Sequence, residues 1–272
     1  MQVFRGMDIG TAKPDAEARR RFAYHLVDVA DPSDEYTVAD FQRAGAVVLD
    51  RAASLGDRLV VAGGSGLHFR SLVDPLEFPP TDEAVRAQLE AVASDELTRE
   101  LLDADPAAGE VVDLANPRRV LRAVEILRLT GKTPTARSAT SNAAAVRDYR
   151  AGRPFLAIGV DPGEFLPGRI EQRFDGMLEA GLLEEVAALA PILGRTARQA
   201  VGYKELLPVV EGHSSVEAGR VAAIGATSAF AKRQRTFFRR DPRIHWIPWH
   251  HDVDVLAGEA LEYLERSAGW SS

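Results

Sequence analysis

Arginines and a glycine-rich turn are the residues in this sequence best suited to chemistry on an anion. The stretch "VVAGGSGLHFRSLV" (60–73) sets Gly63, Gly64, Ser65 and Gly66 between an apolar run and a helix-like pattern. Backbone N–H groups at such a helix start carry partial positive charge and suit a phosphate, and Ser65 adds a hydroxyl. The G-x-G-x-x-G spacing of a dinucleotide loop is not met, so a tight structural turn and a phosphate loop stand as equal readings. In "PGRIEQRFDGMLEAGLLEEV" (167–186), Ile170, Phe174, Met177 and Leu178 form the apolar stripe of one predicted helix. Arg173 sits at the shoulder of that stripe. Its helical neighbours are Arg169, Ile170, Gly176 and Met177, none of them an acid, so it is either a surface arginine or an anion ligand.

Three further stretches carry charge in patterns that suit a polyanion. "NPRRVLRAVEILRLTGK" (116–132) predicts an amphipathic helix with Val120, Val124 and Leu127 buried. Arg118, Arg119 and Arg122 lie off that stripe, where Arg122 can pair with Glu125; a solvated face and a phosphate-backbone contact both fit. In "RQAVGYKELL" (198–207), Tyr203 can stack on a base and Lys204 touch phosphate, or Tyr203 can be a core residue. The densest run is "AKRQRTFFRRDPR" (231–243), where Lys232, Arg233, Arg235, Arg239, Arg240 and Arg243 face the single acid Asp241 and flank Phe237 and Phe238. Cations interleaved with aromatics are what single-stranded nucleic acid requires. His250 and His251 are adjacent, so their side chains diverge and a loop without metal is expected.

The Gly-Lys-Thr of "LTGKTP" (129–134) is a decoy. The first Gly of G-x-x-x-x-G-K-[ST] would fall on Ile126, and the stretch follows a helix, so Gly131 is read as a helix C-cap. No Walker A motif occurs anywhere in the 272 residues.

The elements that must position these groups alternate. "HLVDV" (25–29), "RLVVAGG" (58–64), "FLAIGV" (155–160) and "IHWIPW" (244–249) read as strands. Between the first two, Thr37 and Asp40 form a capping-box pattern ahead of Phe41, Ala44, Val48 and Ala52 at helical spacing. Strand, helix and strand imply a parallel sheet with helices on its faces. From Asp82 to Arg137 the pattern is helical throughout, which predicts an α-helical insertion. "SATSNAAAVRDYRAGRP" reads as a polar return to the core, and "VDVLAGEALEYLERSAGW" as a terminal helix. The expected division is therefore 1–75 core, 76–140 helical insertion, 141–251 core and 252–272 C-terminal helix.

Composition sets the limits. There is no cysteine, which removes disulfides, thiolate metal sites and cysteine nucleophiles together. No apolar run or leader pattern predicts a membrane span or secretion, so the expected address is cytoplasmic. Net charge is −7, yet 29 of the 33 basic residues are arginine. A GC-rich coding sequence explains that bias, and so does a need for guanidinium forks on phosphate.

Taken in order, "MQVFRGMDIGTAKP", "YHLVDVADP", "YTVADFQR", "VAGGSGLHFRSL", "NPRRVLRAVEILRLTGK", "RIEQRFDGML", "QAVGYKE" and "AKRQRTFFRRDPRIHW" resemble the tRNA dimethylallyltransferases across nearly the whole chain. The resemblance implies a P-loop-NTPase-like parallel-sheet α/β core carrying an α-helical insertion. It implies transfer of a dimethylallyl group from dimethylallyl diphosphate to N6 of adenosine-37, just 3′ of the anticodon, assisted by Mg2+. Partners would be that diphosphate and the tRNA anticodon stem-loop, bound by a monomer without membrane contact. Arg173 matches the position that stabilises the departing diphosphate. Met1, Gln2, Ser65, Arg86, Arg118, Arg119 and Arg122 match tRNA-contacting positions. So do Gln199, Ala200, Val201, Gly202, Tyr203 and Lys204, and the run Lys232, Arg233, Gln234, Arg235, Thr236, Phe237, Phe238 and Arg239. Ser65 stands where the family has Thr, His68 where Tyr is usual, and Ser228 where Arg is common. The family's first strand, its P-loop and the Asp-Ser before Met-Gln have no counterpart in the sequence, and with them the magnesium ligand and the candidate base. A missing N-terminal segment and an inactive or very weak chain are therefore expected. The alternative is a non-catalytic RNA-binding remnant of the same family.

Overall fold

A computed structural model describes residues 1–267; residues 268–272 of the expected C-terminal helix lie outside the described residues. The chain forms two compact units, one of Met1–Leu72 with Phe155–Ser272 and one of Val73–Pro154. In the first, the segment 1–14 is an irregular loop whose Phe4 makes an isolated parallel bridge to Ala30. α1 (Ala16–Arg21) follows, capped by the Asp15 carboxylate. α2 (Val38–Leu55) begins at the expected capping box, in which the Thr37 hydroxyl accepts from the Asp40 N–H and the Asp40 carboxylate accepts from the Thr37 N–H. Gly56, at φ +72°, ends it in the left-handed conformation. α3 (Gly66–Val73) closes this half of the unit.

The unit Val73–Pro154 is entirely helical among its regular elements: α4 (Glu83–Glu90), α5 (Ser94–Ala104), α6 (Pro117–Thr130), α7 (Pro134–Ser138) and α8 (Ser141–Arg147). Asn116 caps α6, Pro117 takes its first turn, and Gly131 ends it at φ +67°, as its sequence position predicts. Leu89, Leu97, Leu101, Ala108, Val120, Ala123 and Val124 make the core of this unit. Leu127 is only partly buried and Ile126 is buried instead. The Gly152 N–H donates to the Val73 carbonyl at 2.7 Å, joining the two ends of the unit. The helical unit therefore runs past the predicted boundary at residue 140, and the stretch read as a polar return contains α8.

The chain re-enters the first unit through β1 (Ala157–Val160), α9 (Leu166–Glu179), α10 (Leu182–Leu189), α11 (Tyr203–Val210), α12 (Val216–Phe238), β2 (Ile244–Ile247) and α13 (Val253–Arg266). β1 and β2 pair in parallel, Ala157 with Ile244 through Val160 with Ile247. Four helices form the crossover, as a parallel pair requires. Phe4, Met7, Phe174, Leu182, Val186, Leu189, Tyr203, Leu206 and Ala223 centre the core of this unit.

Three sequence expectations fail, two of them for local reasons. Residues 25–29 are not a strand: Leu26 and Asp28 have φ of +59° and +56°, which ends extended backbone, and only Ala30 bridges. Residues 58–64 form no strand, and Val60 is 90% exposed. A strand exists through its neighbour, and no described strand pairs with this segment, whose Gly64 carbonyl accepts instead from the Gln234 side chain. The helix read over 167–186 breaks into α9 and α10, because Gly181 turns at φ +97°.

Candidate nucleic-acid interface

The glycine-rich turn is built for close approach to α12. A Cβ on Gly64 would collide with the Gln234 amide and one on Gly66 with the Phe237 ring. The Gln234 amide donates to the Gly64 carbonyl at 2.7 Å. Behind this contact, Phe69 meets Phe155 and Phe238, and Phe238 meets Phe237 edge-on with centroids 5.5 Å apart. The Ser65 hydroxyl lies 2.7 Å from Nδ1 of His68, whose imidazole pKa is pushed down, chiefly by burial. Ser65, Gln234 and Phe237 are thus gathered at one place although 169 positions separate Ser65 from Gln234 and 172 separate it from Phe237.

Along α12 and the residues that follow it, the cations divide into paired and unpaired ones. Arg235 and Arg239 both donate to Oδ2 of Asp161, at 2.9 and 2.8 Å. Burial opposes the Asp161 charge, but the Gly163 N–H and the two guanidiniums outweigh it and hold the carboxyl below its usual range. Arg243 is held by the buried Asp241 and lies over the Phe155 ring. Lys232, Arg233 and Arg240 pair with no carboxylate among the described residues. With Ala229, Thr236 and Phe237 they line an open groove of about 470 Å³. Arg233 also lies 5.7 Å from the Phe230 ring centroid. The groove offers three uncommitted positive charges beside an aromatic ring, an arrangement suited to phosphates and bases together.

On α9, Arg173 is exposed and has no ion pair or hydrogen bond among the described residues, as its neighbours predict. Its guanidinium fork is available to an anion. Tyr203 has the opposite fate. It is fully buried, and its hydroxyl donates to Glu185 at 2.5 Å. Burial, followed by that bond and the Glu185 charge, pushes the phenol pKa up. Its ring is therefore closed to base stacking, and of the 199–204 stretch it is Gln199 and Lys204 that are exposed. Gln2 is partly buried, and its amide donates to the Thr11 and Ala12 carbonyls at 3.0 and 2.9 Å.

In the helical unit, Arg118 and Arg119 are exposed, with Arg119 3.9 Å from Asp113. Arg86 and Arg122 converge on Glu125, which is wholly buried, at 2.6 and 2.7 Å. Burial works against the Glu125 charge, and the two guanidiniums more than offset it, so the carboxyl stays below its ordinary range. Arg122 also donates to the Pro79 and Pro80 carbonyls. Sequence reasoning paired Glu125 with Arg122 but had no signal for Arg86 as the second partner. It missed Asp161 and Glu185 as well, because both act on residues far away in the chain. His250 and His251 diverge: the His250 ring accepts from the Asp252 N–H, and His251 packs edge-on to Phe165.

A family model described as IPP transferase matches residues 2–241. The chain belongs to the IPP transferase family. It is 38% identical to a tRNA dimethylallyltransferase of Corynebacterium urealyticum, over 98% of this chain and 82% of that protein. It is 41% identical to one of Streptomyces avermitilis, over 98% and 86%. Among solved structures it resembles the tRNA isopentenylpyrophosphate transferase of Staphylococcus epidermidis, with a TM-score of 0.67 and 27% identity over 98% of this chain and 88% of that one. A eukaryotic dimethylallyltransferase acting on tRNA shares the fold at a TM-score of 0.79 and 22% identity, over 97% and 70%. IPP transferases are prenyltransferases, and the α/β class expected from the sequence holds for this member.

Proposed function

We propose that this IPP transferase places a dimethylallyl group on N6 of adenosine-37 in tRNA, and that the α12 groove and Arg173 are its RNA-binding and diphosphate-binding parts. The observation that carries the reading is the uncommitted set Lys232, Arg233 and Arg240 beside Phe237. In the transfer, the adenine N6 attacks C1 of the allyl group, the C1–O bond breaks, and its electron pair leaves with the diphosphate. Arg173 meets the charge that develops on that leaving group. Among the described residues no three carboxylates or imidazoles gather into a metal-binding set. The 272 residues contain no G-x-x-x-x-G-K-[ST] cradle. We infer that the chain binds the anticodon stem-loop as a monomer. Among the described residues no helix is long and apolar enough to cross a membrane.

Fluorescence anisotropy with a labelled anticodon stem-loop tests the binding. Log affinity should fall linearly with log salt, and replacing Lys232, Arg233 and Arg240 by Ala should flatten that slope by about 2–3 units. An unchanged slope would remove the groove from the interface.

A further inference from the structure

We propose that Glu185 is a positioning residue that sets the conformation of the 1–14 loop and, through it, the orientation of Gln2. The proposal rests on the reading that Met1 and Gln2 meet RNA. Glu185 lies on α10, and among the described residues no Lys or Arg pairs with it. Both carboxylate oxygens are nevertheless filled. Oε2 accepts the Asp8 N–H at 2.9 Å and the Ile9 N–H at 2.8 Å. Oε1 accepts the Gly10 N–H at 3.2 Å and the Tyr203 hydroxyl at 2.5 Å. Three successive amides converging on one anion form a nest, a backbone shape that an anion stabilises.

The loop is fitted to this seat. A Cβ on Gly10 would fall 2.5 Å from Cε2 of Tyr203 and 2.9 Å from Leu182, so the chain lies directly on the tyrosine that supplies the fourth donor. One residue further on, the Thr11 hydroxyl donates to the Met7 carbonyl at 2.6 Å, and the Thr11 and Ala12 carbonyls hold the Gln2 amide. An unbroken series of hydrogen bonds thus runs from Glu185 through residues 8–12 to Gln2. Phe4 and Met7 are already buried in the core without help from Glu185. What the carboxylate adds is the register of residues 8–10, not the burial of the loop.

Glu185→Gln tests this in the full chain, because it keeps the side-chain size but turns an NH2 group toward N–H donors. Amide exchange over residues 8–10 should accelerate about tenfold or more while exchange elsewhere is unchanged. Affinity for a labelled anticodon stem-loop should fall about tenfold, as expected for lost bonds to a charged acceptor. A core variant, Leu206→Val, brought to the same distance below its thermal midpoint, controls for stability and should keep its affinity. Equal weakening by Leu206→Val, or unchanged affinity in Glu185→Gln when the parent chain binds RNA, overturns the proposal. If the parent chain fails to bind RNA, the reading of Gln2 fails. The exchange data then decide the clamp alone: acceleration confined to residues 8–10 upholds it, and none refutes it.

Discussion

Glu125 shows how a single buried carboxylate governs two arginines that sequence places 39 and 3 positions away. Its side chain is fully enclosed, while Arg86 and Arg122 keep a little over a quarter of their surface in solvent. Removing it would leave two guanidiniums facing each other across an apolar floor. Glu125→Ala should cost about 3 kcal/mol in urea unfolding, the low end for breaking a buried pair, because water reaches both arginines. Glu125→Gln should cost less, since an amide oxygen still accepts one bond. A loss below about 0.5 kcal/mol for the alanine variant would mean that the arginines re-solvate without strain.

At the scale of elements, α2 gives the cleanest test of local code. Its capping box is formed entirely by neighbours, Thr37 and Asp40, and it was legible in the sequence for that reason. Thr37→Ala should lower stability by about 1 kcal/mol, read from the thermal midpoint. Gly131 ending α6, and β1 and β2 as strands, were legible on the same grounds: turn residues and apolar runs act within a few positions. The failure at 58–64 has a cause that lies outside the segment. Val60 and Val61 have the composition of a strand, but pairing is a property of the neighbouring chain and not of the run itself. The Arg118–Arg119 surface and the free Arg173 could be anticipated from helical spacing. Asp161, which claims two arginines of the basic run 74 and 78 positions away, could not. The core alternative for Tyr203 was in view and holds, but the loop of residues 8–10 that lies over its ring was not.

Over the whole molecule, charge is organised as carboxylates held below their usual range by donors and arginines. Asp28, Glu35, Glu125, Asp161 and Asp241 all show this, in each case against the opposing effect of burial. Their ordinary values are 3.8 for Asp and 4.5 for Glu. In the unfolded chain these groups take up protons at a higher pH than in the folded protein. The stability they contribute is complete above the ordinary values and is lost as pH falls through the depressed ones. Urea midpoints should therefore be flat near neutrality and drop steeply below about pH 4.5. A midpoint that rises on acidification would show that these pairs are not net stabilising.

Lys13 carries a consequence for anyone handling the protein. Its ammonium is enclosed by the Phe4 carbonyl, Asp8 and Asp28, with 2% of the side chain exposed. Only three other lysines exist, Lys132, Lys204 and Lys232, and all three are open to solvent. An amine-acylating reagent therefore meets a molecule with one sealed lysine and three accessible ones. Peptide mapping of the adducts becomes a gauge of nativeness, since label on Lys13 appears only once the N-terminal loop has opened. Two of the accessible three, Lys204 and Lys232, lie in the proposed RNA contacts, so bound RNA should reduce their labelling while leaving Lys132 labelled.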